Sequence, residues 1–263
     1  MSYDRFELII ASILELSAFS FELIIAFSYI KSASIRVPLK LMIELKQITK
    51  TFNAGKANEF TALKDVELTI QPEKITVFKG PSGSGKTTLL SIIGCMARPT
   101  SGRIMVNGQE TTSLPDKFLA EIRRNTFGFV FQNYNLIKGI TVLENTMIAA
   151  YPTGRKYREL KKKAMALLNN FKIDAKAAQK IGQLSGGEQQ RTAIARALIN
   201  EPSIIIADEP TAHLDTELSR EFLNIIAELS HEGKTVLIAS HDPLVFEAGI
   251  VDDVVEMRDG RIV

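Results

Sequence analysis

The sequence predicts an α/β fold: a mixed sheet core with helices around it, and phosphate-handling groups gathered along one sheet edge. Three stretches carry that expectation. A glycine-rich turn, Gly80 to Thr87, lies between the apolar run Ile75–Phe78 and a helical pattern opening at Thr88. The apolar run Ile204–Ala207 ends in Asp208 and Glu209. The apolar run Val236–Ala239 ends in Ser240, His241 and Asp242. Short continuous apolar runs read as strands buried on both faces of a parallel sheet. Open parallel sheets place their ligands at the carboxyl ends of such strands.

Composition bounds the rest. The chain has 263 residues, enough for one large α/β domain or two small ones. Its 32 basic residues nearly balance 30 acidic ones, so no global basic field argues for nucleic acid. The single cysteine, Cys95, excludes a disulfide framework and suits a reducing compartment.

Residues 1–41 form an apolar N-terminal extension that differs from everything after it. From Phe6 to Ile30 the chain is mostly Phe, Leu, Ile, Ala and Ser, and Phe6–Ile10 is echoed by Phe21–Ile25. Three readings compete. A helix there would be about 37 Å long, enough to cross or lie on a bilayer, with Glu7, Glu15 and Glu22 within about 80° of one another. A secretory signal would need a positive start, which Met1–Arg5 does not supply. The third reading is a translation start at Met42.

From Met42 onward the elements follow in order. Met42–Ile48 and Ala62–Ile70 read as an antiparallel edge, and Ile75–Phe78 as the strand feeding the glycine turn. In Gly80, Pro81, Ser82, Gly83, Ser84, Gly85, Lys86 and Thr87, the glycines let successive N–H groups turn inward around an anion. The helix that follows points its positive end at the same place. Lys86 reaches β- and γ-phosphates, Thr87 offers a hydroxyl to Mg²⁺, and Thr88, where the helix continues, is expected among the ATP-binding residues with Gly80–Thr87. Phe127–Phe131 is a further strand, ending in Gln132, whose amide suits Mg²⁺ or a water. Asp208 suits Mg²⁺, and Glu209 suits the orientation of an attacking water. His241 ends the Val236 strand on the same edge, and Val254–Met257 supplies a last strand.

Leu184–Arg191 predicts a second anion site of another kind. Ser185 and Glu188 have capping-box spacing, so a helix starts here and runs to Leu198, before Pro202. Gly186 and Gly187 leave its first N–H groups approachable.

Taken together these residues resemble the ATP-binding subunit of an ABC transporter, over about residues 42–263 and in that family's order. Gly80–Thr87 matches its Walker A, Gln132 its Q-loop and Leu184–Gln189 its signature. Ile204–Asp208 matches Walker B, Glu209 the catalytic glutamate, Ala212–Asp215 the D-loop and His241 the switch histidine. The resemblance implies a P-loop NTPase with a RecA-like mixed sheet, an antiparallel β subdomain and an α-helical subdomain at about 133–183. It implies ATP and Mg²⁺, with Glu209, His241, Lys86 and Gln132 catalytic and Thr87, Gln132 and Asp208 at the metal. It also implies a head-to-tail homodimer, in which Ser185, Gly186, Gly187 and Glu188 complete the partner's ATP site and Asp215 lies at the junction. Phe52 stands where the family stacks an aromatic on adenine, with Phe60 a substitute, and His213 is unusual in the D-loop.

The family further implies a separate membrane permease held in the helical subdomain's groove, with Tyr134–Ile137 and Val142–Asn145 lining it. The chain would then sit on the cytoplasmic face of the inner (plasma) membrane. Ile122–Leu136 is similar to the subgroup serving lipoprotein release and macrolide or peptide export. A related subgroup uses ATP to signal to cell-wall enzymes, and soluble relatives serve translation or DNA repair. The sequence ends at Val263, which leaves no room for a regulatory domain after the last strand.

Overall fold

The computed structural model describes residues 43–212 and 214–263; the readings of residues 1–42 and of His213 fall outside them. Strands β1 (Ile43–Phe52), β2 (Phe60–Ile70), β4 (Ser101–Val106) and β5 (Gln109–Glu110) form an antiparallel sheet in the order β2-β1-β4-β5. The β4–β5 hairpin turns on two residues, Asn107 (φ 54°) and Gly108 (φ 74°). Both central residues of a type I′ turn need positive φ, which Asn and Gly tolerate best.

The second sheet has six strands, ordered β10-β9-β3-β8-β7-β6. They are β3 (Ile75–Lys79), β6 (Phe127–Val130), β7 (Ile204–Asp208), β8 (Thr235–Ser240), β9 (Asp253–Arg258) and β10 (Arg261–Ile262). Strands β9, β3, β8, β7 and β6 run parallel and β10 runs antiparallel to β9, so this sheet is mixed. The first sheet is the expected antiparallel β subdomain, and its strands β1 and β2 hold the residues read as an antiparallel edge from position 43 onward. This sheet buries Ile43, Leu45 and Ile104 against helix α1 (Lys86–Ile93) and one face of the core sheet.

Strand alternation divides β7 between two apolar layers. Ile204 and Ile206 pack with Phe78, Leu89 and Ile93 on one face. Ile205 and Ala207 pack with Phe222 and Ile226 of helix α6 (Thr216–His231) on the other. Each fully buried Ile or Leu contributes roughly 1.5–3 kcal/mol. A strand covered on both faces is thereby fixed in register, and its terminal acids with it.

Three helices lie around these layers: α2 (Asp116–Thr126), α3 (Val142–Met147) and α4 (Tyr157–Asn170). With a 3₁₀ segment at Ile148–Thr153 between them, α3 and α4 build a helical subdomain. Helix α5 (Gly186–Leu198) joins it to the core: Ile194 packs under the sheet, while Ala195 packs with Val142, Leu168 and Ile181. A short helix α7 (Pro243–Phe246) follows β8. No described helix is long and apolar enough to cross a membrane.

Candidate active site

The parallel register brings the predicted chemistry to one edge. Lys79 pairs with Ser240, and Asp208 with Ala239, so the ends of β3, β8 and β7 are level. A cavity of about 280 Å³ opens there, lined by Ser82–Thr88, Phe60, Ala62, Gln132, Glu209 and His241.

The glycine loop is shaped by close approach. A Cβ on Gly80 would stand 2.2 Å from the Met257 carbonyl oxygen. Gly85 caps α1 at φ 104°, where a Cβ would meet the Ala62 carbonyl at 2.7 Å. Neither position admits a side chain without moving backbone. Inside the loop the Lys86 side chain is 5% exposed. Its ammonium donates to the carbonyls of Gly80 (2.7 Å) and Pro81 (3.1 Å), and lies 3.5 Å from a Glu209 carboxylate oxygen. The Ser84 hydroxyl is buried with no hydrogen-bond partner among the described residues.

Glu209 sits just past β7 at φ 45°, with its N–H donating to the Ala239 carbonyl at 2.9 Å. That left-handed residue turns the carboxylate into the cavity, where Oε2 lies 2.9 Å from His241 Nδ1. Asp208 lies beside the loop: its Oδ1 accepts the Thr87 hydroxyl at 2.9 Å. Burial pushes the Asp208 carboxyl up, and the adjacent Glu209 charge adds to this, against the Thr87 hydrogen bond and Lys86. A buried carboxylate held this way gains most from a nearby cation, and hydroxyl, carboxylate and amide oxygens are the donors a hard cation prefers.

Other predicted residues lie elsewhere. Phe52 pairs across the strands with Phe60, but only Phe60 lines the cavity. The Lys50 ammonium stands 5.0 Å from the Phe52 ring centre. Ser185–Glu188 do not line it either. Ser185 and Glu188 form the expected capping box, and Glu188 also pairs with Lys176. That pairing, then the Ser185 N–H, holds the Glu188 carboxyl below its usual range. The Asp215 carboxylate caps α6 by accepting from the Leu218 N–H at 2.9 Å.

Two of the residues expected to line the subdomain's groove, Val142 and Asn145, do not reach a surface. Both are buried inside the subdomain, and the Asn145 amide holds the Ile137 backbone. A groove of about 380 Å³ runs between Met96, Arg123 and Phe129 on one side and Ala149, Pro152 and Asn200 on the other.

Sequence reading passed over Arg196, which the fold places at that groove. Its guanidinium donates to the Tyr134 (2.7 Å) and Asn135 (2.6 Å) carbonyls and sits 6.0 Å from the Phe131 ring centre. Tyr134 and Asn135 both have positive φ, at 57° and 48°. Two charge-assisted bonds thus hold a strained turn two residues after Gln132. Replacing Arg196 with Ala is expected to lower stability by about 2–4 kcal/mol in urea melts, with Lys recovering little because it lacks the fork. An unchanged melt would show the turn holds itself.

Comparison with known proteins decides the family. Residues 63–212 match the family model described as ABC transporter. The chain belongs to the ABC transporter family. It is an ATP-binding cassette with the fold of an ATPase. One relative is the macrolide export ATP-binding/permease protein MacB of Hyphomonas neptunium, 43% identical over 222 residues. That match covers 84% of this chain and 34% of the relative. Another is the probable syringafactin export ATP-binding/permease protein SyfD of Pseudomonas syringae, 41% identical over 85% of this chain and 34% of that protein. The chain spans about a third of the length of the curated relatives it matches.

Solved cassettes agree. A dimeric bacterial ABC transporter cassette superposes with a TM-score of 0.76 at 40% identity, covering 84% of this chain and 96% of that one. A dimeric post-hydrolysis cassette bound to ADP and Pi matches with the same TM-score and identity.

Proposed function

We propose that the chain is the ATP-hydrolysing engine of a macrolide- or peptide-type exporter, working as two head-to-tail copies on a membrane permease. The observation that carries this is the convergence of Lys86, Glu209, Gln132 and His241 on one cavity at the sheet edge. ATP enters with its phosphates on the loop. Lys86 leaves the Gly80 and Pro81 carbonyls for the β- and γ-phosphates, and the loop N–H groups bind the same oxygens. Thr87, Asp208 and Gln132 would hold Mg²⁺, which would neutralise charge on the phosphates when bound. Glu209 polarises the attacking water, with His241 bound to its carboxylate and able to reach the γ-phosphate. The export names of the relatives favour this engine over a switch acting on cell-wall enzymes.

The partner copy supplies what this cavity lacks. Ser185 and Gly187 stand at the open mouth of α5, far enough from the chain's own loop that they line no part of its cavity. In the head-to-tail pair that helix end would meet the partner's γ-phosphate, where N–H groups favour an anion. Glu188 stays turned back on Ser185 and Lys176, holding the helix mouth rather than the nucleotide. A permease beside this chain would place it on the cytoplasmic face of the inner membrane.

In this reading Phe60, not Phe52, stacks on adenine. Phe60→Ala is then expected to raise the ATP Kd by about five- to a hundredfold, since base stacking on an aromatic is worth about 1–3 kcal/mol. Phe52→Ala should change it little. Fluorescent-nucleotide titration of both variants checks this; the opposite order would return the role to Phe52. The function itself is tested by co-purifying the chain with a candidate permease and measuring ATP turnover with and without it. Stimulated turnover in a stable complex is expected. Turnover indifferent to every permease, or no complex, would remove the export role.

A further inference from the structure

The start of helix α4 carries a charge pattern that the ATPase cycle does not use. Within residues 155–162, Arg155, Lys156, Arg158, Lys161 and Lys162 stand beside one carboxylate, Glu159, while the fold brings Glu201 near Arg155 and Glu144 near Tyr151. All five cations are exposed, and none forms an ion pair among the described residues. Lys163 differs, being held by Glu201 at 2.8 Å. Arg158, Lys161 and Lys162 fall within about 100° on the helix. Arg158 and Lys162 lie away from the stripe of Leu160, Ala164 and Leu168 that packs into the subdomain, and Lys161 borders it.

Two aromatics mark the same end. Tyr157 is 60% exposed and Tyr151 47%. Burial, then Glu144 and Tyr157, push the Tyr151 hydroxyl up, so it stays a neutral donor. An exposed phenol beside cations suits the layer where apolar and phosphate groups meet. The surface is also continuous with the groove. Arg124 donates to the Pro152 carbonyl at 3.3 Å, and both residues line its rim.

We propose that this face, from Tyr151 to Lys162, rests on the anionic lipid headgroups of a bilayer. The charge pattern stands on its own; only the expectation that a bilayer lies beside the groove rests on the permease reading. A cationic helix face flanked by tyrosines fits a layer of lipid phosphates. The chain's near balance of 32 basic and 30 acidic residues supplies no global field for nucleic acid.

The test is sedimentation of the full chain with vesicles of phosphatidylcholine alone or with added phosphatidylglycerol. Wild type is expected to bind the anionic vesicles more tightly, with binding falling steeply as salt rises. The quadruple variant Lys156→Gln, Arg158→Gln, Lys161→Gln, Lys162→Gln should lose at least tenfold of that anionic increment. A Lys-to-Arg variant at 156, 161 and 162 should keep it, which separates lost charge from lost folding. The apolar residues 1–41 are common to all forms, so any binding they add to neutral vesicles cancels. Equal binding to both vesicle types, undiminished binding by the glutamine variant, or tighter binding to a DNA duplex than to anionic vesicles at the same salt would overturn the proposal. ATP turnover with and without the candidate permease reports the proposed function separately: turnover indifferent to every permease would sink that reading and leave the vesicle result intact.

Discussion

Glu209→Gln is expected to leave ATP binding close to wild type and to lower turnover by about 10²–10⁴-fold. The side chain is 13% exposed and held from two sides, by His241 at 2.9 Å and Lys86 at 3.5 Å. Glutamine keeps the shape and a hydrogen-bonding oxygen but loses the negative charge that draws a proton from water. Because the carboxylate sits at the cavity wall rather than in the phosphate loop, affinity should survive. Single-turnover hydrolysis beside a nucleotide titration separates the two quantities. Wild-type turnover would remove Glu209 from the role.

Lys86→Ala is expected to weaken ATP binding itself, by about 10²-fold, because a buried ammonium makes charge-assisted bonds to phosphate worth about 2–3 kcal/mol. Turnover then falls as a consequence. The ammonium also satisfies the Gly80 and Pro81 carbonyls, so the variant should melt somewhat earlier. Isothermal titration at a temperature where both forms are folded isolates the binding loss. Unchanged affinity would mean that the Gly80–Thr87 loop does not hold the phosphates.

How much of this was legible in the sequence follows from how local each signal is. The loop, Asp208, Glu209 and His241 were readable because each ends a short apolar run, and β3, β7 and β8 are buried on both faces. The capping box at Ser185 was readable because its two partners are three residues apart. Phe60 and Arg196 were harder. Which of two paired phenylalanines lines the cavity depends on the irregular β1–β2 register, with shifts at Leu45/Ile48, Ile48/Lys50 and Lys50/Thr51. Arg196 bonds carbonyls more than sixty positions away, and no local pattern announces that. The Asn107–Gly108 hairpin is a local signal that the sequence reading did not use, and it adds β5 to the antiparallel sheet. Asn145 was misread for a related reason, since it looks like surface and is instead the bracket for the Ile137 backbone.

The central claim is that in the proposed pair two ATPs are clasped between two copies, each from loop to signature helix. Light scattering of Glu209→Gln at saturating Mg·ATP, with the candidate permease present, addresses it most directly. The account predicts a doubled cassette mass with ATP, lost with ADP and lost again when Ser185 is replaced by Arg. A single cassette per particle at saturating Mg·ATP would contradict it.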